Sequence, residues 1–348
     1  MPFSAQELAN IANAAIDFHM ERGKVKSSTI QEKPLLATMR KKQKSFPGGK
    51  DNLTVRVKGV YSTTIQGFEH DDEVSYGNPA NIKTATYPWK LIHSGIKITN
   101  HELLKDGISV TDSMTGEKTS NHSDREMTAL ANLLDDKLED MTEGSDRGYN
   151  TMYWGDGSSD PKLIPGIRSI IVDAPTAAGN VGGLDPVTNS WWRNRASLTI
   201  SLSGTLSDQS LVNFLQNEYR QLVRYGDGPD LWLAGADFMD RIERELRSKG
   251  DYTQDGWSSK GTIDFAMGDI AFKGKAIKYD PSLDDLGYAK RCYAIDTKNI
   301  FPMVVEGEDM KKHAPARPEN KYVYYRAMTY VGGLVARRRN SSGVYAFA

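Results

Sequence analysis

The chain has 348 residues, enough to bury a substantial core in one large domain or two or three modest ones. Its 44 Lys and Arg against 45 Asp and Glu leave a formal net charge of -1, without the strongly basic footprint of a dedicated nucleic-acid binder. The single cysteine, Cys292, excludes an intrachain disulfide framework and reads as a buried thiol in a protein assembled in a reducing cytosol; neither a signal-type N-terminus nor an apolar run of about 18 residues argues for secretion or a membrane.

Ser4 and Glu7 have capping-box spacing, and Leu8, Ile11, Ala15 and Phe18 form an apolar line, which predicts a short helix that must lie on something else. After Gly23 the chain turns polar and basic, with Arg40, Lys41, Lys42 and Lys44 before Pro47, Gly48 and Gly49. This stretch reads either as a solvated linker or as an arm crossing a neighbouring subunit. From Leu53 the period changes to two: Leu53, Val55 and Val57 alternate with Thr54, Arg56 and Lys58, as in a strand with one covered face. An acidic segment follows at Glu69, Asp71, Asp72 and Glu73, and Ile82 to Leu91 is again extended. Two extended arms around an acidic tip describe a long hairpin, marginal unless it packs on another element. Such a ribbon is easier to place across another subunit than inside a compact enzyme.

Ile96 and Ile98 lead through Asn100 into a short helical or turn segment. The longest helical period runs from Thr119 to about Glu143: Met127, Leu130, Leu134, Leu138 and Met141 step by three or four, widened by Ala131 and Leu133. Ser123 and Glu126 have capping-box spacing, and Gly144 is the expected stop. That stop places Glu139, Asp140 and Glu143 at the unfavourable end of the helix dipole, facing solvent or a partner's basic groups.

Leu163 to Val172 reads as a strand-containing segment, and Trp191 with Trp192, close to Gly179, Gly182 and Gly183, as a buried latch or an interface anchor. Helices are expected over Ser207 to Tyr225 and Ala236 to Lys249 with the strand Leu231 to Ala234 between them, an α/β order. Asp251 to Gly261 reads as a surface loop. Strands follow at Ile270 to Tyr279, Arg291 to Ile295, Asn299 to Val305, Tyr322 to Val335 and Val344 to Phe347. Arg337, Arg338 and Arg339 lie between the last two, as a solvated charge run or a set facing carboxylates or phosphates.

Local chemistry is sparse. Asp156, Ser158 and Asp160 imitate the start of a calcium loop, but its required glycine and terminal glutamate are misplaced; the six histidines have no metal spacing; Gly48, Gly49 and Lys50 lack the remainder of a phosphate loop. No catalytic, metal or cofactor-binding residue is assigned.

The order of elements is more specific than any motif. In its Tyr87 to Leu104 passage, its Thr119 to Glu143 helix, its Gly182 to Asn194 passage with the Trp pair, its Pro229 to Leu246 strand and helix and its Tyr322 to Phe347 ending, the chain resembles the major capsid proteins of tailed bacteriophages. The resemblance spans nearly the whole chain and implies that α+β fold: an N-terminal arm over 1–45, an extended hairpin loop over 46–95, a peripheral domain with a long spine helix over 96–155, an axial domain over 156–305 and returning peripheral strands over 306–348. It further implies hexamers and pentamers tiling an icosahedral shell around double-stranded DNA, with no enzymatic activity and no cofactor. Assembly would proceed in the bacterial host cytoplasm, with a separate scaffolding protein, a portal protein and a decoration protein as partners and DNA contacted non-specifically. Arg40, Lys41, Lys42, Lys44, Glu69, Asp71, Asp72, Glu73, Trp191 and Trp192 are then the expected assembly contacts, and Arg337, Arg338 and Arg339 an inner-face or intersubunit charge. A nanocompartment shell of encapsulin type and a cytosolic α/β enzyme are the alternatives.

Overall fold

The computed structural model describes residues 3–4, 31–61, 65–76, 81–105, 110–111, 124–249, 270–313 and 323–348. In chain order these form β1 (Phe3–Ser4), α1 (Pro34–Lys42), β2 (Lys44–Phe46), β3 (Asn52–Lys58), β4 (Ile82–Pro88), β5 (Lys90–Thr99), α2 (Asn100–Lys105), β6 (Val110–Thr111), α3 (Asp124–Trp154) and α4 (Ile167–Ile170). They continue with β7 (Arg195–Ile200), α5 (Ser210–Val223), β8 (Leu231–Ala234), α6 (Ala236–Lys249), β9 (Ala271–Phe272), β10 (Lys275–Tyr279), α7 (Pro281–Asp285), β11 (Arg291–Ile295), β12 (Ile300–Val305), β13 (Lys311–His313), β14 (Val323–Ala336) and β15 (Gly343–Phe347). Ser4, the expected helix cap, lies in β1; the rest of the expected helix through Phe18, the helix start at Thr119 to Ser123 and the loop at Asp251 to Gly261 lie outside the described residues.

The chain divides into two compact units, one of residues 1–31, 91–149 and 305–331, the other of 32–90, 150–304 and 332–348. The second is built on a six-stranded mixed sheet of order β7-β15-β11-β8-β10-β9. β8 is buried at all four positions, which is why Leu231, Trp232, Leu233 and Ala234 form a continuous apolar run rather than an alternating one. Leu211, Leu215 and Leu222 of α5 and Phe238 and Ile242 of α6 pack with Trp232, Ala234, Cys292 and Tyr345 in one core. Burial pushes the Cys292 thiol well up, so it stays protonated. Tyr293 meets Trp154 edge-on, with ring centroids 5.0 Å apart. In the same unit β12 pairs antiparallel with the end of β14, Ile300 opposite Ala336, and β2 lies beside β12.

In the first unit β13 pairs with β14, Lys311 opposite Thr329, and Met141 packs with Met328 and Ile96. α2 opens on a capping box: the Thr99 N–H donates to Glu102 Oε2 at 3.0 Å and the Glu102 N–H to Thr99 Oγ1 at 3.3 Å. The Thr99 N–H foremost, then the Lys137 ammonium at 3.2 Å and the Thr99 hydroxyl, which donates to Glu102 Oε2 at 3.1 Å, hold the Glu102 carboxyl below its ordinary range.

Four expectations are corrected. Gly144 does not stop the long helix: α3 runs 31 residues to Trp154, because Tyr149, Met152, Tyr153 and Trp154 are buried and outweigh two glycines at about 1 kcal/mol each. Glu143 is therefore mid-helix, where it pairs with Arg147 at 2.8 Å rather than opposing the dipole. The polar, basic stretch after Gly23 contains α1, with Pro34 in its first turn and Leu35, Leu36 and Met39 buried. Within Leu163 to Val172 the regular element is the helical turn α4, not a strand. It starts at Gly166, where a Cβ would come within 2.3 Å of the Tyr153 carbonyl oxygen.

Candidate assembly surface

β3 and β4 form a two-stranded antiparallel ribbon in register from Asn52 opposite Pro88 to Lys58 opposite Ile82. Alternation sends Leu53, Val57, Ala85 and Tyr87 to the covered face and Thr54, Arg56, Lys58 and Thr84 to the exposed one. A pair of strands needs such a covered face to hold together. The loop carrying the Trp pair and the end of β14, where a Cβ on Gly333 would stand 3.0 Å from Leu53 Cδ1, supply it.

The Thr86 N–H donates to the Gly182 carbonyl at 2.9 Å, and the Tyr87 hydroxyl donates to the Ala336 carbonyl at 3.2 Å. Gly182 has φ +62°, and a Cβ there would stand 2.9 Å from the Tyr87 ring, so both its backbone conformation and the approach of the ribbon require glycine. Lys83 Nζ donates to Asn189 Oδ1 at 2.6 Å. At the top of the stem Gly59 lies on Trp191 so closely that a Cβ would sit 1.8 Å from Trp191 Cδ2.

Trp191 and Trp192 share the short 3-10 turn Ser190–Trp192, and their rings meet edge-on at 5.8 Å. Trp192 is buried and its indole N–H donates to the Val181 carbonyl at 2.9 Å. Arg339 lies behind it, fully buried, donating from Nη1 to the Trp192 carbonyl at 3.0 Å, from Nε to the Ile170 carbonyl at 2.7 Å and from Nη2 to Asn194 Oδ1 at 2.9 Å. Burial lowers this guanidinium to about 10 and pushes the nearby Tyr87 phenol up, so the arginine is charged and the phenol neutral at pH 7.

The three consecutive arginines thus do not act as one run. Arg339 is an internal clamp. Arg338 is tied to the Tyr225 carbonyl at 2.9 Å, the Asp227 carbonyl at 2.6 Å and Asp296 Oδ2 at 3.3 Å. Arg337 is exposed, its guanidinium 5.1 Å from the centre of the Phe301 ring. A solvated charge run fails for Arg339 because the turn between β14 and β15 directs it into carbonyls that need a donor.

Beyond the clamp the hairpin changes character. Val60, Tyr61, Ile65, Phe68, Val74, Tyr76 and Ile82 are seven of the 12 large apolar residues exposed among the described residues, so this segment concentrates the uncovered apolar surface. At its tip the Glu69 N–H donates to Asp72 Oδ2 at 2.9 Å and the Asp72 N–H to the Glu69 carbonyl at 3.2 Å. The tip is braced by the Ser75 N–H, which donates to Gln66 Oε1 at 3.2 Å. Glu69, Asp71, Asp72 and Glu73 are all exposed, as are Arg40, Lys41, Lys42 and Lys44; the two sets form no ion pair with each other among the described residues.

The Trp pair was visible in the sequence as a cluster beside glycines, but its counterpart was not. Gly59, Lys83 and Tyr87 lie more than a hundred residues away, and the reading of Ile82 to Leu91 as extended does not say which of its side chains turn inward. Among the described residues no group of His, Cys, Asp and Glu is arranged to hold a metal, and no helix is long and apolar enough to cross a membrane.

No protein-family model and no curated protein matches the sequence. Solved structures do. The chain is similar to a chain of the cyanophage A-1(L) capsid asymmetric unit, with a TM-score of 0.65 and 13% identity over 93% of this chain and 94% of that one. It is similar to a chain of the bacteriophage PhiM1 mature capsid, with a TM-score of 0.55 and 10% identity over 93% and 90% of the two chains. A chain from Gordonia phage Cozz matches with a TM-score of 0.52 and 13% identity over 93% and 89%. At such identities the likeness is one of fold: the chain has the α+β fold of tailed-phage capsid proteins over nearly its whole length.

Proposed function

We propose that this chain is the major capsid protein of a tailed bacteriophage, a structural and non-catalytic subunit that assembles as hexamers and pentamers into an icosahedral shell around double-stranded DNA. One observation carries the reading beyond fold: a hairpin whose stem is clamped to its own subunit holds out an apolar segment that its own subunit does not cover. Ile65 is 103% exposed, Tyr76 95% and Phe68 68%. Burying each such side chain on a neighbour stabilises by roughly 1.5–3 kcal/mol, whereas an exposed ion pair contributes about 0–1 kcal/mol. Apolar cover therefore supplies cohesion, charge supplies register, and a closed shell repeats both at every subunit.

In this reading residues 1–45 are an arm, 46–95 the extended hairpin loop, 96–155 and 306–348 the peripheral domain and 156–305 the axial domain. The shell forms in the host cytoplasm on a separate scaffold, with a portal and a decoration protein as further partners, and ends as the virion capsid. The near-neutral charge suits containment, in which DNA is met non-specifically by many subunits rather than gripped by each.

Electron microscopy of the protein, expressed with and without its neighbouring phage genes, tests this reading. Regular closed shells support it, and small discrete oligomers in both conditions reject it. Shells filled with an enzyme cargo in place of DNA would assign the chain to a nanocompartment instead. Deleting 59–82 across a short turn should abolish closed shells while leaving the subunit's melting transition in place; normal shells from that deletion would remove the hairpin from the argument.

A further inference from the structure

The side chain of Phe301, in β12, is buried, and two cations share its ring: Lys44 Nζ is 4.0 Å and Arg337 Cζ 5.1 Å from the centroid. The fold enforces this meeting. β2, which carries Lys44, lies beside β12, and the Arg337 N–H donates to the Asn299 carbonyl at 2.8 Å, where β14 leaves its pairing with β12. Both cations are exposed, and neither has a carboxylate partner among the described residues.

Two like charges held on the scale of a Debye length, about 10 Å at 0.1 M salt, repel one another. The ring orients them but does not neutralise them. Such a pair is preset for an anionic partner, because the side-chain order that binding requires is already imposed. Lys41 and Lys42, exposed at the end of α1, extend the same sign of charge.

The hairpin tip has the complementary property. Its four carboxylates are exposed and without an ion-pair partner among the described residues, and its turn is held by the bonds between Glu69 and Asp72 and between Gln66 and Ser75. We infer that the Lys44, Phe301 and Arg337 cluster of one copy receives the acidic hairpin tip of a second copy. This rests on the shell reading above and names the surface that takes the tip. A second copy is required because the chain's own tip makes no ion pair with the cluster. DNA phosphate would satisfy the cations, but would leave Phe68 and Tyr76, beside the carboxylates, uncovered; docking the tip against a protein surface answers both.

The test is a charge swap in the full chain, read by shell yield in electron micrographs under conditions where the unaltered chain assembles. Lys44→Glu with Arg337→Glu should lower the yield at least tenfold, as should Asp71→Lys with Glu73→Lys, which spares the Asp72 bond to Glu69. The two pairs combined should recover to within about threefold of the unaltered yield. Circular dichroism and melting of unassembled subunits check folding, and Lys44→Gln with Arg337→Gln serves as the milder pair, expected to lose yield at low salt and to depend on salt less steeply than the unaltered chain, because the attraction that salt screens is gone. Absence of rescue in folded variants overturns the inference while leaving the shell reading intact. Normal shell yield with reduced DNA content in the Lys44→Glu and Arg337→Glu variant also overturns it and assigns the cluster to phosphate. Failure of the unaltered chain to form shells at all rejects the shell reading itself, and this inference with it.

Discussion

The Glu245 carboxylate, on α6, caps the first turn of α5 by accepting the Leu211 backbone N–H at 3.0 Å. The same carboxylate accepts the Val212 N–H at 3.2 Å, the Ser210 hydroxyl at 3.2 Å and Arg241 Nε at 3.0 Å. α5 needs this help because its own N-cap residue, Gln209, has φ +48° and offers no side-chain acceptor to the first turn. Glu245 is fully buried, so removing it strands two amides and a guanidinium together. Glu245→Ala should cost about 3–5 kcal/mol and Glu245→Gln, which keeps one acceptor, about 1–3 kcal/mol. Urea unfolding of the unassembled subunit measures both. A midpoint unchanged in the alanine variant would show that water takes over the cap.

Arg337 and Arg339 are two residues apart and should behave oppositely. Arg339→Met leaves the Ile170 and Trp192 carbonyls without the arginine's donors and Asn194 Oδ1 with only the Val172 N–H at 3.2 Å, and a loss of about 3–5 kcal/mol is expected. Arg339→Lys should recover only part, since a single ammonium cannot reproduce a guanidinium fork that serves three acceptors. Arg337→Ala removes an exposed side chain and should change subunit stability by less than about 1 kcal/mol. Parallel denaturation curves decide this, and equal effects at the two positions would contradict the burial difference.

This contrast marks how far sequence reasoning reached. Helical and strand periods located α5, α6 and β3, whose buried faces are written in apolar spacing, while β8 was legible as a short continuous apolar run. Three adjacent arginines carry no such periodicity, and only the turn at 337–342 decides which of them points inward. The end of α3 was misplaced for a related reason: Gly144 is a local stop signal, whereas the burial of Tyr149 and Trp154 is set by tertiary packing. α1 escaped notice because nine residues give three buried side chains at most, and its terminal Arg40, Lys41 and Lys42 look like a linker. The capsid-like order of elements was legible; the clamp was not, because Gly59 and Trp191 are joined only by the fold.

Asp280 gives a pH prediction. It accepts the Ser282 N–H at 3.0 Å and the Trp154 indole N–H at 3.2 Å, yet burial outweighs both bonds and raises its carboxyl above the ordinary range. A group whose folded pKa is raised binds its proton more tightly in the folded state. Its stabilising contribution is complete below the unfolded value, near 3.9, and is lost as pH rises through the folded value. The stability of Asp280→Asn relative to the unaltered chain should therefore rise with pH across that window and level off above it. Unfolding free energies at a series of pH values from acid to neutral measure the difference. A difference that stays flat, or falls, would mean that the indole and amide bonds govern the carboxyl instead of burial.

The last prediction concerns the hairpin clamp. With no side chain at Gly59, the backbone lies directly on the Trp191 ring; a Cβ there would penetrate to 1.8 Å of Cδ2, so even alanine must displace the stem or the ring. Overpacking of this kind costs about 1–3 kcal/mol when the surroundings are rigid, but here the strain can be released by tilting the ribbon. Gly59→Ala should thus lower subunit stability modestly, increase protease cleavage within 59–82 and reduce shell yield disproportionately, because every neighbour contact depends on the direction in which the apolar segment is held. Removing the obstruction should reverse part of the defect: Trp191→Ala alone loosens the clamp, but Gly59→Ala in that background should add little further loss. If the two substitutions instead combine additively in both cleavage and yield, the Gly59 and Trp191 contact does not set the hairpin's direction, and orientation must come from Lys83 with Asn189 and from Tyr87 with Gly182.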